Sequence, residues 1–439
     1  MKRVTLLLLF ILSLSNTYAA VYYVAVNGNN ANAGTLNKPF ATIQRAQDAI
    51  KPGDTVYIRG GNYRMSEEMI AKSDRLFANV TYLDKSGVPG KLINYFAYPK
   101  EKPVFDYSDV KPANQRVIAF RVEGSWIHLR GLEVVGVQVT IKTHTQSECF
   151  ENHGSNNIFE MLNMHDGMAI GFYLLSGSNN LILNCDAYRN FDNFSENGRG
   201  GNTDGFGCHP RPGSKGNVFR GCRAWFNSDD GYDVISSSEG TTFDNCWAFY
   251  NGFDSNFKSA GDGNGFKGGG YGKRAADELP NPIPRMTIQF CLAVHNKASG
   301  FYGNHHPTGS NWFNNSAYRN GTNFNMLNRL KDNVTDVPGF DHKMRNNLGY
   351  KGGKEVANLD AAKCDLSHNY FDMSLNATDD DFVSLDETQL TAPRKADGSL
   401  PDITFMHLKP GSQFVDKGMD IGFPFKGKAP DLGCFEVGK

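Results

Sequence analysis

Four aspartates, Asp204, Asp229, Asp230 and Asp233, are the acidic residues of this sequence best placed to act together. Carboxylates that lie close together repel one another, and a bound cation relieves that repulsion. Oxygen ligands without histidine or thiolate suit a hard ion, and four acidic ligands beside turn carbonyls suit calcium better than magnesium. We therefore predict a Ca²⁺ site at these aspartates. The competing interpretation is that they only shape turns, where aspartate is common.

Lys267 is the residue we expect to act as a base. It lies within the glycine-rich segment Gly263–Gly270, which predicts an accessible ammonium group. A lysine acts as a base near neutral pH only when its pKa is lowered, and a nearby calcium ion or cationic side chain has that effect. Lys273 and Arg274 follow closely. Taken alone, Lys267 would be an ordinary surface lysine, so its role depends on its position relative to the aspartates.

A repeated heptad indicates the architecture that positions these residues. Its copies have Cys or Ser second, Ala fourth and Asn last, and they are Asn184–Asn190, Gly221–Asn227, Asn245–Asn251, Phe290–Asn296 and Asn315–Asn320, the last aligned at its asparagine. Two of the intervals between the closing asparagines are 24 residues, and the longer ones leave room for loops. Coils of this length with short strands predict an all-β fold, a right-handed parallel β-helix, in which stacking buries the inward side chains.

Aligning the coils also produces columns of equivalent residues. Gly-aromatic-variable triplets begin at Gly171, Gly205, Gly231, Gly265 and Gly300. If the aromatic side chain points inward, the third residue faces solvent, because side chains alternate along a strand. The alignment therefore predicts that Asp233 lies beside Lys267, and that Asp204 lies beside Asp230.

The recurring cysteines and asparagines are interpreted as structural. Cys185, Cys222, Cys246 and Cys291 form one buried column, for which we expect free thiols because parallel side chains suit disulfide geometry poorly. The closing asparagines are expected to satisfy backbone groups in turns.

The ends of the chain differ from the repeat. Residues 1–19 have the basic start, short apolar run and small-residue end of a cleaved signal peptide, which predicts secretion to the periplasm or the exterior. Residues 20–439 are expected to form one domain, with an N-terminal cap at about 20–64 that contains a helix, and an irregular C-terminal segment at about 360–439. A formal net charge of -1 favours neither nucleic acid nor an anionic surface. No later run is apolar and long enough to span a membrane.

Several motifs carry a resemblance to the family nine polysaccharide lyases: Asn202–Phe206, Asn227–Asp233, Gly263–Lys267, and the N-terminal runs Tyr22–Gly28 and Lys38–Ile43. The resemblance covers most of the chain after residue 19. It implies a right-handed parallel β-helix, a calcium site at the four aspartates, and Lys267 as the base. It also implies an acidic pectic polysaccharide as the substrate, with homogalacturonan (pectate) as the first expectation and the rhamnogalacturonan I backbone as the alternative.

These features agree with one reaction on a uronate polymer. Lys267 would remove the proton at C5 of a galacturonate, and elimination of the C4 oxygen would break the glycosidic bond. Hydrolysis instead needs two suitably separated carboxyl groups, one of them protonated, which a metal-bound cluster does not supply. The alternatives left open are a hydrolase and a noncatalytic carbohydrate-binding solenoid, together with the choice between the two pectic polymers and between endo and exo cleavage.

Further candidates concern substrate binding. Arginine recognises carboxylates through paired hydrogen bonds, so cations near the site are expected to bind the acidic chain. The candidate substrate-binding residues are Arg199, His209, Arg211, Lys273, Arg274 and His305, and His306 is considered with His305. A groove on a solenoid needs no partner subunit, and we expect a monomer.

Overall fold

Three long parallel sheets make up most of the computed structural model, which describes residues 19–438. Each complete coil of the chain contributes a strand to each of the three sheets, and each strand pairs in register with its equivalent in the next coil. Sheet 1 contains Val21–Val24, Thr55–Ile58, Ile93–Ala97, Ile127–Arg130, Ile158–Glu160, Leu181–Leu183, Asn217–Arg220, Thr241–Asp244, Thr287–Gln289, Asn311–Phe313, Lys343–Arg345 and Asp365–Ser367.

Sheet 2 contains Gly61–Arg64, Pro103–Asp106, Glu133–Val135, Asn163–His165, Asp186–Tyr188, Arg223–Trp225, Trp247–Phe249, Leu292–Val294, Ser316–Tyr318 and Leu348–Tyr350. Sheet 3 contains Lys72–Ser73, Phe77–Leu83, Arg116–Val122, Glu148–Asn152, Ile170–Leu174, Phe206–Cys208, Tyr232–Asp233, Phe266–Lys267, Ser299–Tyr302, Thr322–Asn325 and Val356–Ala357. All of its pairs are parallel except the first, between Lys72–Ser73 and Phe77–Leu83. The predicted parallel β-helix is confirmed.

The remaining elements are short. A hairpin pairs Asn328–Arg329 with Asp336–Val337, and one α-helix spans Ile43–Ala49. The 3-10 helices are Glu67–Met69, Ala276–Glu278, Ala361–Lys363, Asp379–Asp381 and Glu387–Thr391. Within the described residues, no helix is long and apolar enough to cross a membrane.

The helix covers the N-terminal end of the coil stack. The Thr42 hydroxyl caps it by accepting from the Arg45 backbone N–H at 3.1 Å, and Ile43 and Ala46 are buried. Covering this end hides apolar core that an open coil would expose to water. The predicted capping helix is therefore present. Apart from Ala19, the predicted signal peptide lies outside the described residues.

The C-terminal segment packs along sheet 2. Arg394 lies 2.7 Å from Asp186, which also pairs with Arg223 at 2.8 Å. Arg223 donates in addition to the backbone oxygen of Ala392 at 2.9 Å. These buried charges are paired and hydrogen-bonded, which offsets the cost of removing them from water. The division of the chain into one domain stays a prediction.

Stacked aromatic rings fill the interior beneath sheet 3. Phe206, Tyr232, Phe266 and Phe301 are buried, and their ring centroids follow one another at 4.9, 4.6 and 5.2 Å. Each ring is the second residue of a Gly-aromatic-variable triplet. The predicted inward direction of the aromatic column is confirmed.

The cysteine column is buried as predicted, and the described cysteines are free thiols. Burial raises the pKa of Cys222, Cys246 and Cys291 well above the ordinary value. These thiols are therefore inert core side chains.

One detail of the repeat alignment was wrong. Ser316 pairs with Leu292, so Asn315, and not a serine, follows Cys291 in the cysteine column. The Asn315 side-chain oxygen accepts from the Cys291 backbone N–H at 3.0 Å. Asn315 starts a second asparagine ladder with Asn347 and Asn369, linked at 3.0 and 2.7 Å.

The first asparagine ladder runs through the turns that follow sheet 2. Its members are Asn190, Asn227, Asn251, Asn296 and Asn320, joined side chain to side chain at 3.1, 3.2, 2.9 and 2.9 Å. Each amide also donates to a backbone carbonyl of an earlier coil. The two donors and the carbonyl of an asparagine amide thus satisfy buried polar groups without any charge.

Asn251→Ala should destabilise the fold by about 3 kcal/mol, because it leaves buried groups of Ala224, Asn227 and Asn296 unpaired. Chemical denaturation followed by circular dichroism measures the loss. Asn27→Ala, at an exposed asparagine, is the matched control and should unfold as the wild type does. Equal midpoints for the two variants would contradict a stabilising role for the ladder.

Candidate active site

Strand pairing in sheet 3 brings the predicted residues together. Gly207 lies opposite Asp233, and Asp233 lies opposite Lys267. A second column forms at the start of these strands: the Asp230 backbone N–H donates to Asp204 at 3.0 Å, and the Asn264 backbone N–H donates to Asp230 at 2.6 Å. This placement agrees with the alignment of the repeats.

Three of the four aspartates share one small volume. Carboxylate oxygens of Asp204, Asp230 and Asp233 lie within 4.8 Å of one another, and all three side chains are buried. This donor set consists of oxygen only, which fits a hard divalent ion such as Ca²⁺. Asp229 lies outside this group, and its Oδ1 accepts from the Asp262 backbone N–H at 2.6 Å. That Asp229 is also a metal ligand stays a prediction.

Burial, together with the proximity of the other carboxylates, perturbs the ionisation of these aspartates. Burial raises the pKa of Asp204 well above its ordinary value, and the charges of Asp229, Asp233 and Asp230 add to the effect. Burial likewise raises the pKa of Asp229 and Asp230. Several buried carboxylates in contact are costly unless a positive charge compensates them.

Lys267 supplies one such charge. Its Nζ lies 3.0 Å from Asp230 Oδ2 and 3.1 Å from Asp233 Oδ2, and its side chain is 12% exposed. Burial lowers the pKa of Lys267, but the four aspartates outweigh burial and raise the pKa well above its ordinary value. The expected accessible ammonium group was therefore wrong, whereas a lowered pKa of Lys267 with calcium bound stays a prediction. The flanking glycines do not expose the side chain, because it folds onto the aspartates. A cation bound to these carboxylates would remove the interactions that favour the charged lysine.

The candidate substrate-binding residues are less closely grouped. His209 Nδ1 lies 2.9 Å from the Tyr173 hydroxyl, and burial lowers the pKa of His209. The charges of Asp233, Lys267 and Arg274 also act on His209, so this histidine lies beside the site. Arg199, Arg211, Lys273 and Arg274 are exposed.

The two consecutive histidines have different surroundings. His305 Nδ1 lies 2.7 Å from Asp336 in the hairpin. His306 is buried, accepts from the Gly270 backbone N–H at 3.0 Å and lies 2.8 Å from the Pro284 carbonyl oxygen. Burial lowers the pKa of His306 to about 4. The expectation that His306 contacts substrate together with His305 was wrong. Its side chain is buried and accepts a hydrogen bond from the backbone of the glycine-rich loop.

Two residues at the site were given no role in the sequence interpretation. Tyr302 pairs with Lys267 on the next strand of sheet 3. Asn264 continues the Asp204 and Asp230 column, and its Nδ2 donates to Asp230 at 2.9 Å. Both residues lie in columns of the aligned repeats, so the alignment of the sequence could have identified them as part of the site.

A parallel β-helix with buried aspartates and a lysine on one sheet defines a class of carbohydrate-active protein. A family model described as "Pel9A-like, right handed beta helix region" matches residues 22–347, and the chain belongs to this family. The handedness and the resemblance to family nine polysaccharide lyases are thereby confirmed.

Individual relatives agree with this assignment. Pectate lyase L of Dickeya chrysanthemi is 34% identical over 428 residues, covering 95% of this chain and 90% of the relative. A solved rhamnogalacturonan lyase is 45% identical, with a TM-score of 0.86 over 90% of this chain and 97% of the other. The crystal structure of pectate lyase Pel9A is 30% identical, with a TM-score of 0.75 over 95% and 96%. The protein is a polysaccharide lyase.

Asp204→Asn should stabilise the protein in the presence of a chelator at neutral pH. The variant removes one negative charge and keeps an oxygen that accepts from Asp230 N–H. Because the folded-state pKa of Asp204 is raised, its contribution to stability is fully present below the unfolded-state pKa, about 4, and is lost as the pH rises through the folded-state value. The advantage of the variant should therefore vanish towards pH 4. Thermal unfolding in chelator across this pH range measures it.

Calcium should reverse the order, since the variant has lost a carboxylate ligand while the wild type gains stability by binding the ion. Asp277→Asn, at an exposed aspartate, is the control and should follow the wild type in both conditions. A wild type that remains the more stable protein in chelator at neutral pH would refute the electrostatic account of the cluster.

Proposed function

We propose that this protein cleaves an acidic pectic polysaccharide by calcium-dependent β-elimination at a galacturonate. The observation that carries the proposal is the contact of Lys267 Nζ with Asp230 and Asp233, at 3.0 and 3.1 Å, on one face of sheet 3. This contact supports Lys267 as the base beside a carboxylate cluster suited to calcium. Pectate lyases and a rhamnogalacturonan lyase among the relatives support a pectic substrate.

Each residue of the site has a distinct role in the proposed β-elimination. Asp204, Asp230 and Asp233, with Asp229 beside them, would hold Ca²⁺. A bound calcium ion supplies charge neutralisation to the uronate carboxylate next to C5, which makes the C5 proton more acidic. Lys267 would accept that proton in its neutral form. The electron pair of the C5–H bond becomes the C4–C5 double bond, the bond between C4 and its oxygen breaks, and the departing oxygen keeps the electron pair of that broken bond and takes up a proton.

Hydrolysis fits this geometry poorly. Glycoside hydrolases separate their two carboxyl groups by about 5–9.5 Å and keep one of them protonated as an acid. Here one carboxylate oxygen from each of the three clustered aspartates lies within 4.8 Å of the other two, and two of these aspartates contact a lysine. Because the chain is a polysaccharide lyase by family, a noncatalytic solenoid is not adopted either.

Between the two pectic polymers, we propose the rhamnogalacturonan backbone as the preferred substrate. The specific observation is the 45% identity to the rhamnogalacturonan lyase, against 34% and 30% to the two pectate lyases. Homogalacturonan, the first expectation from the sequence, is the second candidate. We further propose that a signal peptide at residues 1–19 directs export and that the enzyme acts as a monomer.

Lys267→Ala should lower the rate of cleavage by about 10²- to 10⁴-fold, because proton removal from C5 would lose its base. Ultraviolet absorbance of the unsaturated uronate product measures the rate, with calcium present. Lys417→Ala, at an exposed lysine of the C-terminal segment, is the comparison for loss of a positive charge alone and should retain most of the activity.

Two results would refute this mechanism. Full activity of the Lys267 variant would exclude it as the base. Activity that survives rigorous chelation and yields reducing ends without ultraviolet absorbance would identify a hydrolase.

Digestion of pectate and rhamnogalacturonan side by side should distinguish the two substrates. We expect faster release of unsaturated products that contain rhamnose, identified by mass spectrometry. Products from pectate at a higher rate would reverse the preference and leave the β-elimination mechanism intact. The product sizes over time also separate endo from exo cleavage.

A further inference from the structure

Tyr302 follows Lys267 in the outward-facing row of sheet 3. Strand pairing sets Asp233 opposite Lys267, and Lys267 opposite Tyr302. Neighbouring strands lie about 4.8 Å apart, so the amine and the phenol are within reach of the same sugar residue. The row therefore presents a metal ligand, a base and a phenol in sequence.

The hydroxyl of Tyr302 has no partner, although the rest of the residue is held in place. Within residues 19–438, no protein group donates to it or accepts from it. The Tyr302 backbone carbonyl accepts from the Gly268 N–H at 2.7 Å, and the ring packs edge-on against His305 with centroids 6.0 Å apart. A half-buried phenol that is fixed but unpaired is free to bond to a ligand.

Other donors near the base are already engaged. The Tyr173 hydroxyl, on the opposite side of the row, lies 2.9 Å from His209 Nδ1. His305 is bound to Asp336. The Tyr302 hydroxyl, in contrast, is unengaged and lies on the strand next to Lys267.

Burial and the charge of Lys267 act on the pKa of the Tyr302 hydroxyl. Burial raises the pKa of Tyr302 to about 12, and the positive charge of Lys267 opposes that shift. The phenol is therefore protonated at neutral pH and adjoins a group that stabilises its phenolate. A general acid must hold its proton before the reaction, and the positive charge of Lys267 reduces the cost of releasing it.

We propose that Tyr302 is a further catalytic residue, which protonates the leaving oxygen at C4 while Lys267 removes the proton from C5. This inference rests on the proposed β-elimination. The C5–H electron pair forms the C4–C5 double bond, the C4–O bond breaks, and the leaving oxygen takes the phenolic proton. Lys267 is then an ammonium and Tyr302 a phenolate.

The adjacent positions of the two groups also restore the enzyme. Transfer of one proton from the Lys267 ammonium to the Tyr302 phenolate regenerates the amine and the phenol. The net reaction moves one proton from C5 to the leaving oxygen and requires no other reactant. The strand register that pairs the two residues would thus complete the catalytic cycle.

Tyr302→Phe tests this role, because it removes only the hydroxyl. We expect kcat on the polymer to fall about 10²-fold with little change in KM. Tyr188→Phe is the matched control: burial raises the pKa of Tyr188 to about 12 as well, but this tyrosine lies on sheet 2. Its kinetics should be those of the wild type. Unchanged calcium affinity and circular dichroism verify that the Tyr302 variant is folded.

A substrate with an activated leaving group separates acid catalysis from binding. On an oligogalacturonide with a 2,4-dinitrophenyl group at the C4 oxygen, the departing phenolate needs no proton. The Tyr302→Phe variant should then regain the wild-type rate within about threefold, whereas Lys267→Ala should remain inactive. A variant that stays slow on this substrate, or whose defect lies in KM alone, would overturn the proposed acid role.

The same variants distinguish failure of this inference from failure of the proposed function. If Lys267→Ala is inactive and Tyr302→Phe cleaves the polymer at the wild-type rate, only the role of Tyr302 is wrong. If Lys267→Ala remains active, the base assignment fails, and the proton transfer proposed for Tyr302 fails with it.

Discussion

The in-register parallel pairing of sheet 3 is the constraint on which the site depends. Asp233, Lys267 and Tyr302 are 34 and 35 residues apart along the chain, yet they lie on adjacent strands because each coil returns to the same register. The residues inserted between these strands form loops and do not change the strand register. A slip of one residue would turn these side chains towards the core and bring the stacked rings to the surface.

The close approach of the sheets needs the glycine that precedes each aromatic residue. A Cβ at Gly231 would lie 2.7 Å from the Gly265 carbonyl oxygen and 3.0 Å from the Ala248 Cβ. Any larger side chain would therefore push sheet 3 away from the alanine column of sheet 2. The asparagine ladder follows the same alanines, since Asn251 and Asn296 donate to the carbonyls of Ala224 and Ala248. The glycine, alanine and asparagine residues together fix the corner between sheets 2 and 3, which carries the aspartates.

The carboxylates of the cluster repel one another, and the backbone holds them close together. Asp204 and Asp230 are held by backbone N–H groups, so they cannot relax away from one another when they ionise. Lys267 compensates part of their charge and is itself kept charged by them. A cation at the cluster would both neutralise the aspartates and free the lysine to act as a base. The groups that would hold the metal and the group that would take the proton are therefore coupled.

The repeat in the sequence by itself determined the coil, the inward aromatic column, the free cysteines and the adjacency of Asp233 and Lys267, because its recurring residue types align the strands despite the inserted loops. The repeat did not identify which of Asn315 and Ser316 belongs to the cysteine column, since both residues are small and polar. Only strand pairing shows that it is Asn315. Tertiary structure alone decided that Lys267 folds onto the aspartates, that His306 is buried and that the Tyr302 hydroxyl is unpaired. These outcomes depend on side-chain packing and on charges brought together from distant coils, which no local pattern records.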